Sequence, residues 1–215
     1  MTYKDTHKFD FSLYLVTDRG YSGDRQLRNI VARAVEGGVT TVQLREKDCS
    51  TREFIRLAKQ LQNVLRDKNI PLIINDRLDV AMAVQAEGVH LGQNDMPVEV
   101  ARKILGNNYI IGLSVENMEQ LEEAEKMDVD YLGLSPLFTT ETKPELKHEW
   151  GLKGLQRARQ NSSHKIVAIG NIDANNARAV IKSGADGIAV VSAICAAANP
   201  QKAAAELSNQ IKNVK

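Results

Sequence analysis

Two aspartates pose the chemical question in this chain. Asp76 closes the apolar run PLIIN (71–75), and Asp95 follows the run GVHLG (88–92) after two residues. Between them Leu78, Ala81, Met82 and Gln85 recur at helical spacing. Strand, helix and strand in that order make a βαβ unit, whose strands run parallel. Both acids therefore leave the same, C-terminal edge of a sheet. Two carboxylates meeting there, with nothing basic between their strand ends, repel each other. A divalent cation relieves that repulsion, and hard oxygen ligands suit Mg²⁺. A plainer reading makes the pair a helix N-cap and a loop acid; spacing alone leaves both open.

Other reactive side chains share that edge. Gln43, Arg45 and Lys47 end VTTVQLREK, Asn75 precedes Asp76, and Ser114 ends YIIGLS. Thr140, Thr142 and Lys143 lie in the long irregular stretch after DYLGLS, Gly170 ends KIVAIG, and Val191–Ser192 end ADGIAVVS. Cations, acids, hydroxyls and helix-opening glycines together suit a ligand with several phosphates. Gly170 and Val191–Ser192 match the phosphate site that barrels often build after strands seven and eight. Each residue alone would pass for solvated surface; their grouping points to a site. No Ser-His-Asp or Cys-His set is legible. His7 lies in a polar start, His148 and His164 read as exposed, and His90 reads as a hydrogen-bonded core histidine. Cys49 reads as a small buried apolar group. The chemistry is then positioning and charge neutralisation rather than covalent attack.

The elements that must carry these residues follow one rhythm. AVEGGVTTVQLR, AVQAEGVHLG, EKMDVDYLGL and IKSGADGIAVV each read as helix end, turn, strand. Asp24, Ser50 with Glu53, Pro97, Asp173 and Pro200 mark helix starts. Eight strands alternating with helices predict a single-domain α/β protein, a closed (β/α)₈ TIM barrel over residues 12–215 behind a polar tail, 1–11. A doubly wound open sheet is the alternative, weakened by the lack of G-x-G-x-x-G after the first strand. The 215 residues, 43% hydrophobic and 26% charged, suit one soluble domain. A net charge of +1 argues against nucleic-acid and membrane partners and for small-molecule substrates. Two cysteines make no disulfide framework, and no apolar signal core opens the chain, so a cytoplasmic setting is expected. Homo-oligomerisation stays open.

These motifs carry a resemblance. LYLVTD, VQLREK, INDR, GVHLGQND-MP, GLS, T-x-TK, AIG and ADGIAVVSAI stand in the order of the thiamine phosphate synthase family, across nearly the whole chain. The resemblance implies a (β/α)₈ barrel that joins 4-amino-5-hydroxymethyl-2-methylpyrimidine diphosphate to 4-methyl-5-(2-phosphoethyl)thiazole. Thiamine monophosphate and diphosphate are the implied products. The implied mechanism is dissociative: diphosphate departs and the thiazole nitrogen captures a pyrimidinylmethyl cation. It implies Asp76 and Asp95 as Mg²⁺ ligands, and Arg45, Lys47, Ser114 and Lys143 as catalytic. Substrate contacts would come from Gln43, Leu44, Arg45, Glu46, Lys47, Asn75, Ser114, Thr140, Glu141, Thr142, Lys143, Gly170, Val191 and Ser192. This chain departs from the family pattern at Ser135 and Thr139, within Ser135-Pro-Leu-Phe-Thr139-Thr140, and at Asn171, within Ile169-Gly170-Asn171-Ile172. A thiazole tautomerase of the same superfamily, or a non-catalytic phosphate-ligand sensor, would have no use for the acid pair.

Overall fold

Strand-forming runs of Leu, Ile and Val, each followed by a helix, dictate the architecture. The computed structural model describes residues 9–23, 25–139 and 149–214. The strands are β1 (Leu13–Val16), β2 (Thr41–Leu44), β3 (Leu72–Asn75), β4 (Gly88–Leu91), β5 (Ile110–Val115), β6 (Tyr131–Leu134), β7 (Lys165–Ile169) and β8 (Gly187–Val190). All neighbours pair in parallel, and β8 pairs back onto β1 through Leu13↔Ile188, Tyr14↔Ala189 and Leu15↔Val190. The sheet is therefore closed, as expected for a (β/α)₈ barrel, and the open doubly wound alternative is excluded.

Side chains alternate across each strand. Leu13, Leu15, Val42, Leu44, Leu72 and Ile74 face outward into the large core shared with the helices. Tyr14, Val16, Ile73, Ile110, Tyr131, Val167 and Ala189 fill the barrel interior. Each fully buried Leu, Ile or Val contributes about 1.5–3 kcal/mol, so a one-residue slip of any strand is strongly disfavoured. Phe11, placed in the tail by its sequence context, is buried beneath the barrel, its ring 4.7 Å from that of Tyr131. The packed domain thus begins before Ser12.

The helices are α1 (Leu27–Glu36), α2 (Thr51–Leu65), α3 (Leu78–Val84), α4 (Val98–Leu105), α5 (Met118–Ala124), α6 (Gly151–Asn161), α7 (Ala177–Lys182), α8 (Ser192–Cys195) and α9 (Pro200–Lys212). Ser50 caps α2 by accepting from Glu53 N at 3.2 Å. The reciprocal half of that capping box is not made, because the Glu53 carboxylate binds Arg56. Pro97 is the N-cap of α4 rather than its first residue. Asp173 folds a turn onto the amides of Asn175 and Asn176, and the N-cap of α7 is Asn176. Asp24 lies outside the described residues. His164 is half-buried, 3.9 Å from Glu125, rather than exposed.

Candidate active site

The C-terminal ends of the strands surround a cavity of about 290 Å³. Strand alternation decides which side chains reach it. Along β2 and its exit, Gln43 and Arg45 line the cavity. Leu44 is wholly buried in the helix-facing core, so its side chain is not available to a substrate. Glu46 lies outside the cavity lining too. Its Oε2 accepts from Arg19 Nε at 2.9 Å and Nη2 at 2.6 Å. The five-residue run implied by the resemblance is thus split by the pleat.

Asn75 ends β3 and lies in register with His90 of β4, so both point inward. The Asn75 amide is buried, and among the described residues its Nδ2 has no acceptor. An unpaired buried donor is destabilising by about 1–3 kcal/mol, and a ligand acceptor in the cavity would satisfy it.

Asp76 is one of four non-glycine residues with positive φ among the described residues, at 62°. Asp tolerates that left-handed region better than most residues, and its amide is held by His90 O at 2.9 Å. The bend turns its carboxylate toward Asp95, which is anchored by Gly92 N at 2.7 Å. Partial burial is the main force pushing the Asp95 carboxyl above its ordinary pKa. The Gly92 amide opposes that rise, and a hydrogen bond and charge from Asp76 reinforce it. The two acids therefore do converge. The acids are not without a base at the strand ends, because Lys47 Nζ, beyond the end of β2, lies 2.5 Å from Asp76 Oδ2.

Arg45 is held from the other side by Asp18, 3.4 Å away at the end of β1. Asp18 lines the cavity and was not among the expected site residues; its place after LYLVT, at a strand end, was the available signal. Ser114 lines the floor, where His90 Nε2 stands 2.9 Å from its Oγ. His90 is hydrogen-bonded as expected, but it faces the cavity rather than a closed core.

Gly170, Val191 and Ser192 line the opposite wall, at β7 and β8. Gly170 has φ 121°, and a Cβ there would sit 2.8 Å from Leu137 N. Asn171 follows at φ 49° and also lines the cavity. This wall is small, polar and open, as a phosphate cradle requires. Thr140, Glu141, Thr142 and Lys143 lie outside the described residues. Glu149 Oε2 accepts from Thr139 N at 2.7 Å and from Thr139 Oγ1 at 2.6 Å.

Among the described residues no group of three or more His, Cys, Asp or Glu side chains could hold a metal ion. Asp76 and Asp95 are a converging pair of carboxylates among the described residues. Two converging oxygen ligands suit Mg²⁺, which takes one or two carboxylates and completes its shell with phosphate oxygens and water. No helix among the described residues is long and apolar enough to cross a membrane.

Comparison with known proteins gives the family and the fold. A family model described as thiamine monophosphate synthase matches residues 13–194. The thiamine-phosphate synthase of Albidiferax ferrireducens is 52% identical over 202 residues, covering 94% of this chain and 92% of that one. The thiamine-phosphate synthase of Clostridium novyi is 46% identical over 200 residues, covering 93% and 98%. The solved thiamine phosphate pyrophosphorylase from Pyrococcus furiosus superposes with a TM-score of 0.89 at 41% identity, covering 96% of this chain and 98% of its own.

Proposed function

The chain belongs to the thiamine monophosphate synthase family, and from that membership we propose how its barrel mouth carries out the family's reaction. The activity is that of a thiamine-phosphate synthase, a transferase. The substrates we assign are 4-amino-5-hydroxymethyl-2-methylpyrimidine diphosphate and 4-methyl-5-(2-phosphoethyl)thiazole. The carbon–oxygen bond to diphosphate breaks first, and the thiazole nitrogen then attacks the pyrimidinylmethyl cation. Thiamine monophosphate forms and diphosphate leaves.

The observation that carries this assignment is the convergence of Asp76 and Asp95 beside Lys47 at the ends of β3, β4 and β2, at the mouth of a barrel whose cavity is lined by Arg45, Gly170 and Ser192. The acids and cations at the ends of β2 to β4 suit a diphosphate with Mg²⁺. The small residues Gly170 and Ser192 on the cavity wall suit a monophosphate. Asp76 and Asp95 would hold Mg²⁺, which when bound supplies charge compensation for the departing diphosphate. Arg45 and Lys47 take up charge as it develops on the leaving group, and we assign Lys143 to the same task. Asn75 and Gln43 orient the pyrimidine edge, and the Asn75 Nδ2 is a donor with no partner among the described residues. Ser114 contacts the pyrimidine half. Gly170, Val191 and Ser192, with Thr140 and Thr142, hold the thiazole phosphate. We assign a cytoplasmic setting with freely diffusing small-molecule substrates, in keeping with a biosynthetic transferase.

The test is release of pyrophosphate from the two precursors. It should require both of them together with Mg²⁺, and EDTA should abolish it. Release that persists in EDTA would remove the metal from the reading. No release under any condition would return the chain to the tautomerase or the sensor.

A further inference from the structure

Beneath the cavity a chain of hydrogen bonds crosses the barrel. Gln43 Nε2 donates to Tyr14 Oη at 2.9 Å. Tyr14 Oη lies 2.8 Å from Tyr131 Oη. Tyr131 Oη lies 2.9 Å from His90 Nδ1, and His90 Nε2 lies 2.9 Å from Ser114 Oγ. Five strands, β2, β1, β6, β4 and β5, contribute one residue each. The diphosphate and metal chemistry at the mouth uses none of the three middle members.

Proton accounting gives the chain a direction. Burial pushes both phenols well above the usual tyrosine pKa, so each keeps its single proton. Tyr14 Oη already accepts the Gln43 amide, so its own proton goes to Tyr131; the reverse would leave a buried hydroxyl proton with no acceptor. Tyr131 must then give its proton to His90 Nδ1. A neutral imidazole that accepts at Nδ1 carries its proton on Nε2. That proton goes to Ser114 Oγ, which leaves the serine's own proton for the cavity.

The backbone makes room for this arrangement. A Cβ on Gly112 would lie 2.1 Å from Tyr131 Cζ, and one on Gly133 would lie 3.0 Å from His90 Cε1. Both rings are seated in spaces that only a missing side chain provides. The Ser114 backbone is pinned as well, its carbonyl accepting from Gln93 Nε2 at 2.5 Å.

We propose that Tyr14, Tyr131 and His90 are positioning residues that hold the Ser114 hydroxyl as a hydrogen-bond donor toward the bound substrate. The ligand atom above Ser114 is then an acceptor. With Asn75 Nδ2 as a second donor on the same cavity, the chemistry recognised is a heteroaromatic edge with acceptor nitrogens. The naming of that ligand rests on the synthase reading above, whereas the direction of the chain does not.

The test reads the tautomer directly. The full chain, labelled with ¹⁵N-histidine, is examined by NMR near neutral pH without substrates, the His90 signals being identified by their loss in His90→Gln. The expected wild-type result is a neutral ring with the proton on Nε2. Tyr131→Phe, which removes the Nδ1 donor, should populate the second tautomer, whereas Ser114→Ala should leave the Nε2–H form in place. In turnover, Tyr131→Phe should raise the KM for the pyrimidine substrate about threefold to tenfold, with the KM for the thiazole unchanged. A wild-type ring protonated on Nδ1, or on both nitrogens, overturns the proposal. So does an unchanged tautomer in Tyr131→Phe. Because the NMR measurement needs no turnover, an inactive protein with the expected tautomer would count against the synthase reading alone.

Discussion

Lys47 Nζ lies 2.5 Å from Asp76 Oδ2, joining the mouth of β2 to that of β3. The lysine side chain is half exposed, so the pair contributes only about 0–1 kcal/mol to stability. Its importance is electrostatic. Lys47 covers one of two converging acids, and it stands where both a metal and a diphosphate would compete for it.

Lys47→Gln should therefore separate two effects. In the absence of substrate, Mn²⁺ used as a spin probe for the acid pair should bind more tightly, because a competing cation is gone. The kcat should fall by about one to two orders of magnitude, as expected when one charge-stabilising group is lost. Electron paramagnetic resonance titration checks the first and steady-state kinetics the second. Weaker Mn²⁺ binding would show that Lys47 supports the metal site instead of competing with it.

Asp76→Asn and Asp95→Asn should each lower kcat by at least about one to two orders of magnitude, since tenfold corresponds to about 1.4 kcal/mol of transition-state stabilisation. The melting temperature should hold or rise, because a like charge is removed. Asp76→Ala should melt lower than Asp76→Asn by the equivalent of about 1 kcal/mol, since Ala sits poorly at φ 62°. Turnover near wild type in both Asn variants would remove the metal assignment. Lost activity with a collapsed melting temperature would make these acids structural.

The Asp95 carboxyl has a predictable pH signature. Burial first, and then Asp76, raise its pKa, so the folded chain binds this proton more tightly than the unfolded chain does. The stability it contributes is fully present below the ordinary aspartate value of about 3.9 and is lost as the pH rises through the raised value. Asp95→Asn removes that loss. Denaturant titrations should show the variant gaining on wild type as the pH climbs from about 3.5 into the raised range. A constant difference across that window would mean that Asp95 titrates normally.

Asn171 departs from the family pattern, yet the structure has it at φ 49°, a conformation Asn tolerates. Asn171→Gly should change the KM for the thiazole phosphate by less than about threefold and leave the KM for the pyrimidine unchanged; the side chain lost is exposed, and surface changes are usually within about 0.5 kcal/mol. A large rise in the pyrimidine KM would assign this wall of the cavity to the other substrate. By contrast, Gly170→Ala should be severely impaired, since its Cβ would meet backbone atoms of Pro136 and Leu137.

Sequence alone determined the barrel's elements and the edge on which its chemistry lies. Period-two and helical patterns are local properties of the chain. Chain direction through each βα unit puts every strand's exit at one end. That is why Asn75, Asp76, Asp95, Ser114, Gly170 and Ser192 could be grouped before any contact was known. What local pattern cannot supply is which strand end faces which, because that depends on closure of the barrel and on its stagger. The β8–β1 pairing joins residues some 175 positions apart, as in Leu13↔Ile188. Only tertiary structure put Lys47 on Asp76, Asp18 on Arg45 and Arg19 on Glu46. It alone turned Leu44 away from the cavity and brought Phe11 beneath the barrel. The hydroxyls of Tyr14 and Tyr131 meet at 2.8 Å across 117 residues of sequence. That contact arises because alternation points both rings into the same narrow interior, where Gly112 leaves room for Tyr131.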